Sequence, residues 1–203
     1  MPNWVYNSVN ISGDADKVRA MEAKLAAPYK GVDNGPINFL NLIAPPDEHW
    51  DAYTCGPIAH GSPQEKNPYN WYDWNLNNWG CKWNAGGMDS WAVMQTMHDG
   101  GLDYELKFST AWSPPEGIMR ILSELCFAEG LRLDWHWEEE QGFGEEWGTV
   151  DGEFTLVDSW DIPQSHFDYK HRDKEDSCPC QWADDKWRFD DCPPIEVAES
   201  VST

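Results

Sequence analysis

Residues 102–137, LDYELKFSTAWSPPEGIMRILSELCFAEGLRLDWHW, decide the fold. Apolar and polar residues alternate from Leu102 to Thr110, which predicts a strand with one buried face. Ser113, two prolines and an acid predict a helix with Ser113 as its N-cap and Gly130 at its end. Alternation then resumes, so the stretch predicts strand, helix, strand. The expected core-facing residues are Leu102, Tyr104, Leu106, Phe108 and Thr110, then Ile118, Ile121, Leu122 and Leu125, then Leu131, Leu133, Trp135 and Trp137.

The beginning of the chain predicts a similar unit. Residues 4–12 alternate as a strand. A helix follows, with Asp14 as N-cap and Pro28 as its stop. Its buried stripe is expected to be Val18, Met21 and Leu25. The apolar run 37–43 predicts a second strand, closed by two prolines.

A hairpin is predicted after the second unit, between Trp147 and Trp160, with its turn at Asp151-Gly152. Two βαβ units side by side predict an α+β, ferredoxin-like fold, in which a split βαβ antiparallel sheet carries two helices. We expect a domain at 1–161 with a Trp-rich insertion at 44–100. An acidic, irregular, Cys-containing tail is expected at 162–203.

The insertion contains an aromatic segment at residues 70–84, NWYDWNLNNWGCKWN. Its interleaved Asn, Asp and Lys residues favour a surface-lining or turn-rich segment over a plain helix or strand. The segment has two interpretations: core packing, or stacking of nucleic-acid bases. Stacking requires a basic groove, and only Lys66 and Lys82 are available in this part of the chain.

Charge excludes several classes of partner. The chain has 203 residues and a net charge of −22. Residues 1–128 carry 15 acidic and 8 basic residues, a balance of −7, whereas residues 129–203 carry 21 and 6, a balance of −15. Direct contact with nucleic acid or an anionic membrane is therefore excluded. A basic protein surface or a cation is the expected partner.

The segment after Met1 lacks the charged and apolar regions of a signal peptide, and no apolar run is long enough to span a bilayer. We therefore expect a cytoplasmic protein with reduced cysteines. Cys81 follows a glycine and precedes Lys82, which favours a lowered thiol pKa, although no histidine partner for a nucleophile is evident.

Asn77-Asn-Trp-Gly-Cys-Lys-Trp83, Phe108-Ser-Thr-Ala-Trp-Ser-Pro-Pro115 and the acidic hairpin resemble the YubB/Api-type proteins of phages and conjugative plasmids. The resemblance covers roughly residues 1–160. It implies a ferredoxin-like domain, a mobile-element origin and a role in the cytoplasm of a bacterial host. It implies no activity or cofactor, and it suggests an accessory factor that acts on host defence or host replication.

The acidic residues of the last predicted strands are the candidate partner-binding site. They have three interpretations: a solvated face, a DNA mimic that fills a basic groove, or a carboxylate pair for hydrolysis or cation binding. In the second interpretation aromatic residues anchor the partner. The candidate residues are Glu138, Glu139, Glu140, Glu145, Glu146, Trp147, Asp151, Glu153, Asp158 and Asp161.

The tail holds the candidate metal ligands. Three thiols and two imidazoles within a short stretch suit a tetrahedral zinc site, although the Cys-x-Cys spacing differs from the usual knuckle. A redox pair and plain surface cysteines are the other interpretations. The residues are His166, His171, Cys178, Cys180 and Cys192.

The sequence thus predicts a non-enzymatic, phage- or plasmid-encoded acidic protein. It is expected to bind and inhibit a host nucleic-acid-binding protein as an anti-defence or host-takeover factor. The alternative is a metal-binding regulator or small metal-dependent enzyme that uses the Cys and His residues of the tail.

Overall fold

A computed structural model describes residues 3–160, 182–183 and 186–187. The strands are β1 Trp4–Gly13, β2 Gly86–Thr96, β3 Leu102–Ala111, β4 Arg132–Glu139, β5 Gly144–Val150, β6 Glu153–Trp160, β7 Trp182–Ala183 and β8 Lys186–Trp187. The α-helices are α1 Ala15–Ala26, α2 Trp50–Tyr53, α3 Trp71–Asn78 and α4 Glu116–Glu129. Short 3-10 helices cover Phe39–Asn41 and Asp47–His49.

Six strands form one antiparallel sheet in the order β2-β3-β1-β4-β5-β6. β3 lies between β2 and β1, and β1 lies between β3 and β4, so the two βαβ units are split and interleaved. This arrangement is the ferredoxin-like fold predicted from the sequence. The β5–β6 hairpin extends the sheet beyond β4, and β7 pairs with β8 in a separate two-stranded sheet.

Both long helices pack on one face of the sheet, which we call the covered face. Alternation places the apolar side chains of β3 and β4 on this face, where Leu106, Leu133 and Trp135 are fully buried. Val18 and Leu25 of α1 are buried there, as predicted. The opposite face of the sheet, which we call the open face, carries the polar residues of the same strands.

The predicted bounds of β1, α1, β3 and β4 are confirmed to within one or two residues. Asp14 caps α1 by accepting hydrogen bonds from the backbone N–H groups of Asp16 and Lys17. The turn at Asp151-Gly152 is also confirmed. Both residues have positive φ, 52° and 84°, which is the conformation that a two-residue hairpin turn requires.

The strand predicted at residues 37–43 is wrong. A 3-10 helix forms at Phe39–Asn41 because side-chain amides satisfy its backbone. Asn38 Oδ1 accepts from Leu40 N, and Asn84 Oδ1 accepts from Phe39 N at 2.9 Å. The second strand of the first unit is instead β2, which the sequence did not predict because residues 88–98 show no clear helix or strand periodicity. The connection from α1 to the sheet therefore runs over residues 27–85.

The aromatic segment is also more regular than predicted, because its first half is helix α3. Asn70 caps this helix by accepting from Asp73 N at 2.9 Å. Gly80, with φ of 88°, lies just beyond its end. Trp79 is fully buried between Phe39 and Tyr53, and it donates its indole N–H to the Ile43 carbonyl at 2.8 Å. Core packing is therefore the role of Trp79.

Ser113 does not cap α4. The helix begins at Glu116, and the Ser113 hydroxyl instead donates to the Gly80 carbonyl. Gly117 packs so closely on the Asn78 carbonyl that a Cβ atom would overlap it. The two tryptophan motifs, residues 77–83 and 108–115, are thus joined to each other.

The buried residues of α4 are Ile118, Met119, Leu122 and Cys126, whereas the predicted Ile121 and Leu125 are only half-buried.

Candidate partner-binding surface

Strand alternation divides the candidate acidic residues between the two faces of the sheet. In β5, Glu146 pairs with His136 and points to the open face, whereas Glu145 and Trp147 pair with Trp137 and Trp135 and point to the covered face. The acidic residues do not form one continuous surface. The following residues lie on the open face of β4, β5 and β6: Asp134, Glu138, Glu146, Glu153 and Asp158.

Glu146 and Asp158 are directly opposite each other on neighbouring strands, and both side chains are exposed. Like charges in this position destabilise a sheet by roughly 0.2–1 kcal/mol. Neither carboxylate has a salt bridge within the described part of the chain, and the same is true of Glu138 and Glu153. Among the described residues, no salt bridge therefore neutralises these open-face carboxylates.

The two basic residues of the open face are already paired. Lys107 Nζ lies 3.3 Å from Glu105 Oε1 on β3, and Arg132 Nε lies 2.7 Å from Asp134 Oδ2 on β4. The hydrogen bond and charge of Asp134 raise the pKa of Arg132. Within the part of the chain that the structure describes, these pairs leave no cation for Glu138, Glu146, Glu153 and Asp158.

Aromatic side chains lie among these carboxylates. The rings of Trp160 and His136 are stacked, with centroids 5.0 Å apart. A side chain at Gly144 would collide with the Trp160 indole, so the glycine makes room for it. Tyr6 on β1 is exposed on the same face. The open face thus combines carboxylates with flat apolar rings, which is the composition expected for an anchored, charge-driven interface.

Two candidate carboxylates hold the turn between β4 and β5. Glu139 is only 4% exposed, and its Oε2 accepts from Gln141 N at 2.7 Å. Glu140 Oε2 accepts from Trp4 N at 3.2 Å, which ties the turn to the start of β1. Asp151 occupies the β5–β6 turn. Glu139 ends β4 on the covered side, opposite the buried Val5, whereas Glu140 and Asp151 lie in turns, so none of the three belongs to the open face.

Glu145 and Trp147 lie together on the covered face, where Trp147 Nε1 donates to Glu145 Oε2 at 2.7 Å. The sequence pointed to both residues but could not say which side of the sheet they would occupy without the strand parity. The inward facing of Trp135 and Trp137 was predicted, but the register that pairs them with Trp147 and Glu145 is known only from the structure.

Asp161 and the candidate metal ligands His166, His171, Cys178, Cys180 and Cys192 lie outside the described residues, so the zinc site remains a prediction. Within 3–160, no three His, Cys, Asp or Glu side chains are grouped as a metal site. Cys81 is buried, and burial raises the pKa of its thiol, contrary to the lowered value expected beside Lys82.

Lys82 belongs to an aromatic cluster that the sequence did not predict. Its Nζ lies 4.2 Å from the ring centroid of Trp112 and 4.9 Å from that of Trp83. Trp112 is exposed and has an unusual φ of 81°. The cation covers the rings itself, so stacking of bases is not favoured here.

Comparisons with known proteins find a similarity in the second half of the chain. Residues 90–178 match the family model described as the ferredoxin-like domain in Api92-like protein. The predicted resemblance to Api-type proteins is thereby confirmed for this part of the chain.

A crystal structure of a protein api92 from Yersinia pseudotuberculosis is similar, with 10% sequence identity and a TM-score of 0.45. The similarity covers 79% of this chain and 98% of that one. No curated protein matches the sequence. Among the described helices, none has the length and apolar character that crossing a membrane would require.

Proposed function

We propose that this chain is a non-enzymatic binding protein that presents its open face to a basic, nucleic-acid-binding surface of another protein and blocks it. The supporting observation is the carboxylate group Glu138, Glu146 and Asp158, which lies around the Trp160–His136 stack without cationic partners among the described residues. A partner's Lys and Arg residues would neutralise this field, and its apolar groups would pack on the rings.

The opposed pair Glu146 and Asp158 supports this role physically. The repulsion within the pair is unfavourable in the free protein, and cations placed between the two strands would remove it. The binding energy would therefore include relief of a repulsion that the fold maintains. The acidic composition of residues 129–203 adds long-range attraction, which accelerates association with a positively charged partner.

The biological setting proposed is the cytoplasm of a bacterial host. The resemblance to Api-type proteins favours a phage or plasmid origin, and an acidic inhibitor suits an element that must disarm host defence or redirect host replication. The target class is a nuclease, restriction subunit, CRISPR effector or topoisomerase, since each one holds nucleic acid in a basic groove.

The test compares two variants with the same change in charge. Glu146→Lys/Asp158→Lys reverses the open-face pair, whereas Glu48→Lys/Glu129→Lys reverses two exposed acids elsewhere. Proteins captured from bacterial lysate by the unmodified chain are purified, and their affinity for each variant is measured in competition with duplex DNA. The open-face variant should bind roughly 100-fold more weakly, about 2.7 kcal/mol, because attraction becomes repulsion.

The control variant should lose much less affinity, because only its overall charge has changed. Binding should also weaken as salt is raised. Equal affinity of the two variants, or binding of duplex DNA and the chain to the target at the same time, would refute groove occupation.

A further inference from the structure

A groove of about 400 Å³ lies between α4 and the covered face of β4, β5 and β6. It is on the opposite side of the sheet from the open face. Met119 of α4 and the rings of Trp137, Trp147 and Phe154 form its apolar walls. The rings of Trp147 and Phe154 contact each other, with centroids 5.7 Å apart and planes 26° apart, and both present aromatic surfaces to the groove. Such surfaces attract flat cations.

Two carboxylates border these rings. Glu145 and Glu116 both line the groove, and neither has a salt bridge within residues 3–160. Arg120 also lines the groove, but its Nη1 lies 2.9 Å from Glu124 Oε1 and is paired there. The groove therefore offers two carboxylates beside aromatic faces, which is the chemistry that receives a guanidinium.

The inner wall also holds a hydrogen-bond donor without an acceptor. Trp137 is only 6% exposed, and its indole N–H has no acceptor in the described part of the chain. A buried tryptophan N–H is normally hydrogen-bonded, and leaving it unpaired is unfavourable. The nitrogen itself is enclosed, so this donor is not a contact point for a ligand in the groove.

We propose that this groove binds an arginine residue of a protein partner. The guanidinium stacks on the Trp147 ring and pairs with Glu145. Arginine fits better than lysine because its planar group both stacks on rings and binds a carboxylate through two N–H groups. This proposal rests on the proposed function in one respect, namely that the partner is basic. The groove itself is a separate site from the open face.

The experiment titrates the labelled full chain with a blocked arginine, Nα-acetyl-arginine methylamide, and follows the indole N–H signals of the tryptophans by NMR. The matching citrulline compound has nearly the same shape without the charge. The arginine compound should shift the signals of Trp137 and Trp147 in a saturable way. The citrulline compound should bind at least about tenfold more weakly, because it lacks the cation.

Neighbouring residues on β5 provide a matched pair of variants. Glu145→Gln removes the charge in the groove but keeps an oxygen that can accept from Trp147, whereas Glu146→Gln removes the same charge on the open face. The first variant should weaken arginine binding about tenfold, and the second should leave it unchanged. Glu116→Gln, at the exposed start of α4, provides a second groove variant if Glu145→Gln perturbs folding.

Absence of a saturable shift with the arginine compound would overturn the proposal. Equal binding of the arginine and citrulline compounds, or equal weakening by Glu145→Gln and Glu146→Gln, would do the same. Because the open-face test uses Glu146 and Asp158 and a purified protein target, either site can fail while the other is supported.

Discussion

The two faces of the sheet differ although the same strands build both. On the covered face, β4 contributes Leu133, Trp135 and Trp137, all buried against helices and aromatic rings. On the open face, the same strand contributes Asp134, His136 and Glu138, which are only half-buried. The difference teaches that residues which alternate along one strand contribute to different properties: one set stabilises the fold, and the other set forms the proposed binding surface. Substitutions one position apart should therefore have effects of different kinds.

The largest expected effect comes from the covered face. Trp135 is fully buried, packs edge-on against Phe108 and donates to Asn7 Oδ1 at 3.1 Å. Trp135→Ala should lower the free energy of unfolding by about 3–5 kcal/mol, because it leaves a cavity and removes this hydrogen bond. Urea denaturation measures the change.

Tyr6→Ala serves as its control on the open face, where Tyr6 is 53% exposed. A change within about 0.5 kcal/mol is expected there. Similar losses for the two variants would mean that the open face is packed against something, and the contrast between the faces would fail.

A second prediction concerns alkaline pH. Burial on the covered side raises the pKa of Cys126 to about 12, from 9.0 for an ordinary thiol. Between these values the unfolded chain loses the proton while the folded chain keeps it. The free energy of unfolding should therefore fall as pH rises from about 9 to 12, by up to about 1.4 kcal/mol per pH unit for this thiol.

Denaturation midpoints measured across this range test the prediction. Cys126→Ala should make the decline less steep, although Cys81, Tyr53 and Tyr104, whose pKa values burial also raises, maintain part of it. Glu138→Gln on the open face should leave the slope unchanged. An equal slope in the Cys126→Ala variant would contradict the assignment.

The smallest expected effect is a gain in stability. Glu146→Gln removes the repulsion from Asp158, so it should raise the free energy of unfolding by roughly 0.2–1 kcal/mol at low salt. The gain should shrink at high salt because the repulsion is screened. Thermal or urea denaturation at two salt concentrations measures both effects.

Glu145→Gln is the matched comparison for this variant, since Glu145 faces the covered side and accepts from Trp147. It has no opposed acid across the strand pair, and no gain from relieved repulsion is expected. A loss of stability in Glu146→Gln would show that the carboxylate is favourable in the free protein, which removes one support of the proposed function.

Prediction from sequence succeeded where local signals agreed with the final structure. Alternation located β3 and β4, Asp14 identified the start of α1, and Asp151-Gly152 identified the hairpin turn. It failed at residues 37–43, because an apolar run does not show that Asn38 and Asn84 will bond the backbone. It also missed β2, although this strand pairs with β3 across a short connection, because residues 86–96 do not show a clear alternation.

The candidate surface was only partly predictable for a similar reason. The acidic residues and their concentration after residue 128 were evident. Their division between two faces was not predicted, and the strand pairing of the structure shows that Glu145 and Glu146 point to opposite sides. The opposition of Glu146 and Asp158 was not evident, since a register shift between Glu146 and Trp147 sets which residues of β5 and β6 face each other.

The sequence by itself determined the fold class, the strands of the second βαβ unit and the acidic character of the chain, because periodicity and charge are local properties. Only the tertiary structure decided that β2 completes the split unit, that Ser113 joins the two tryptophan motifs and that a groove forms beneath α4. The link through Ser113 and the groove depend on contacts between residues that are distant in sequence, and such contacts exist only once the sheet and its helices have packed together. β2 pairs with the next strand of the chain, but its own residues carry no clear strand pattern, so the pairing is visible only in the sheet.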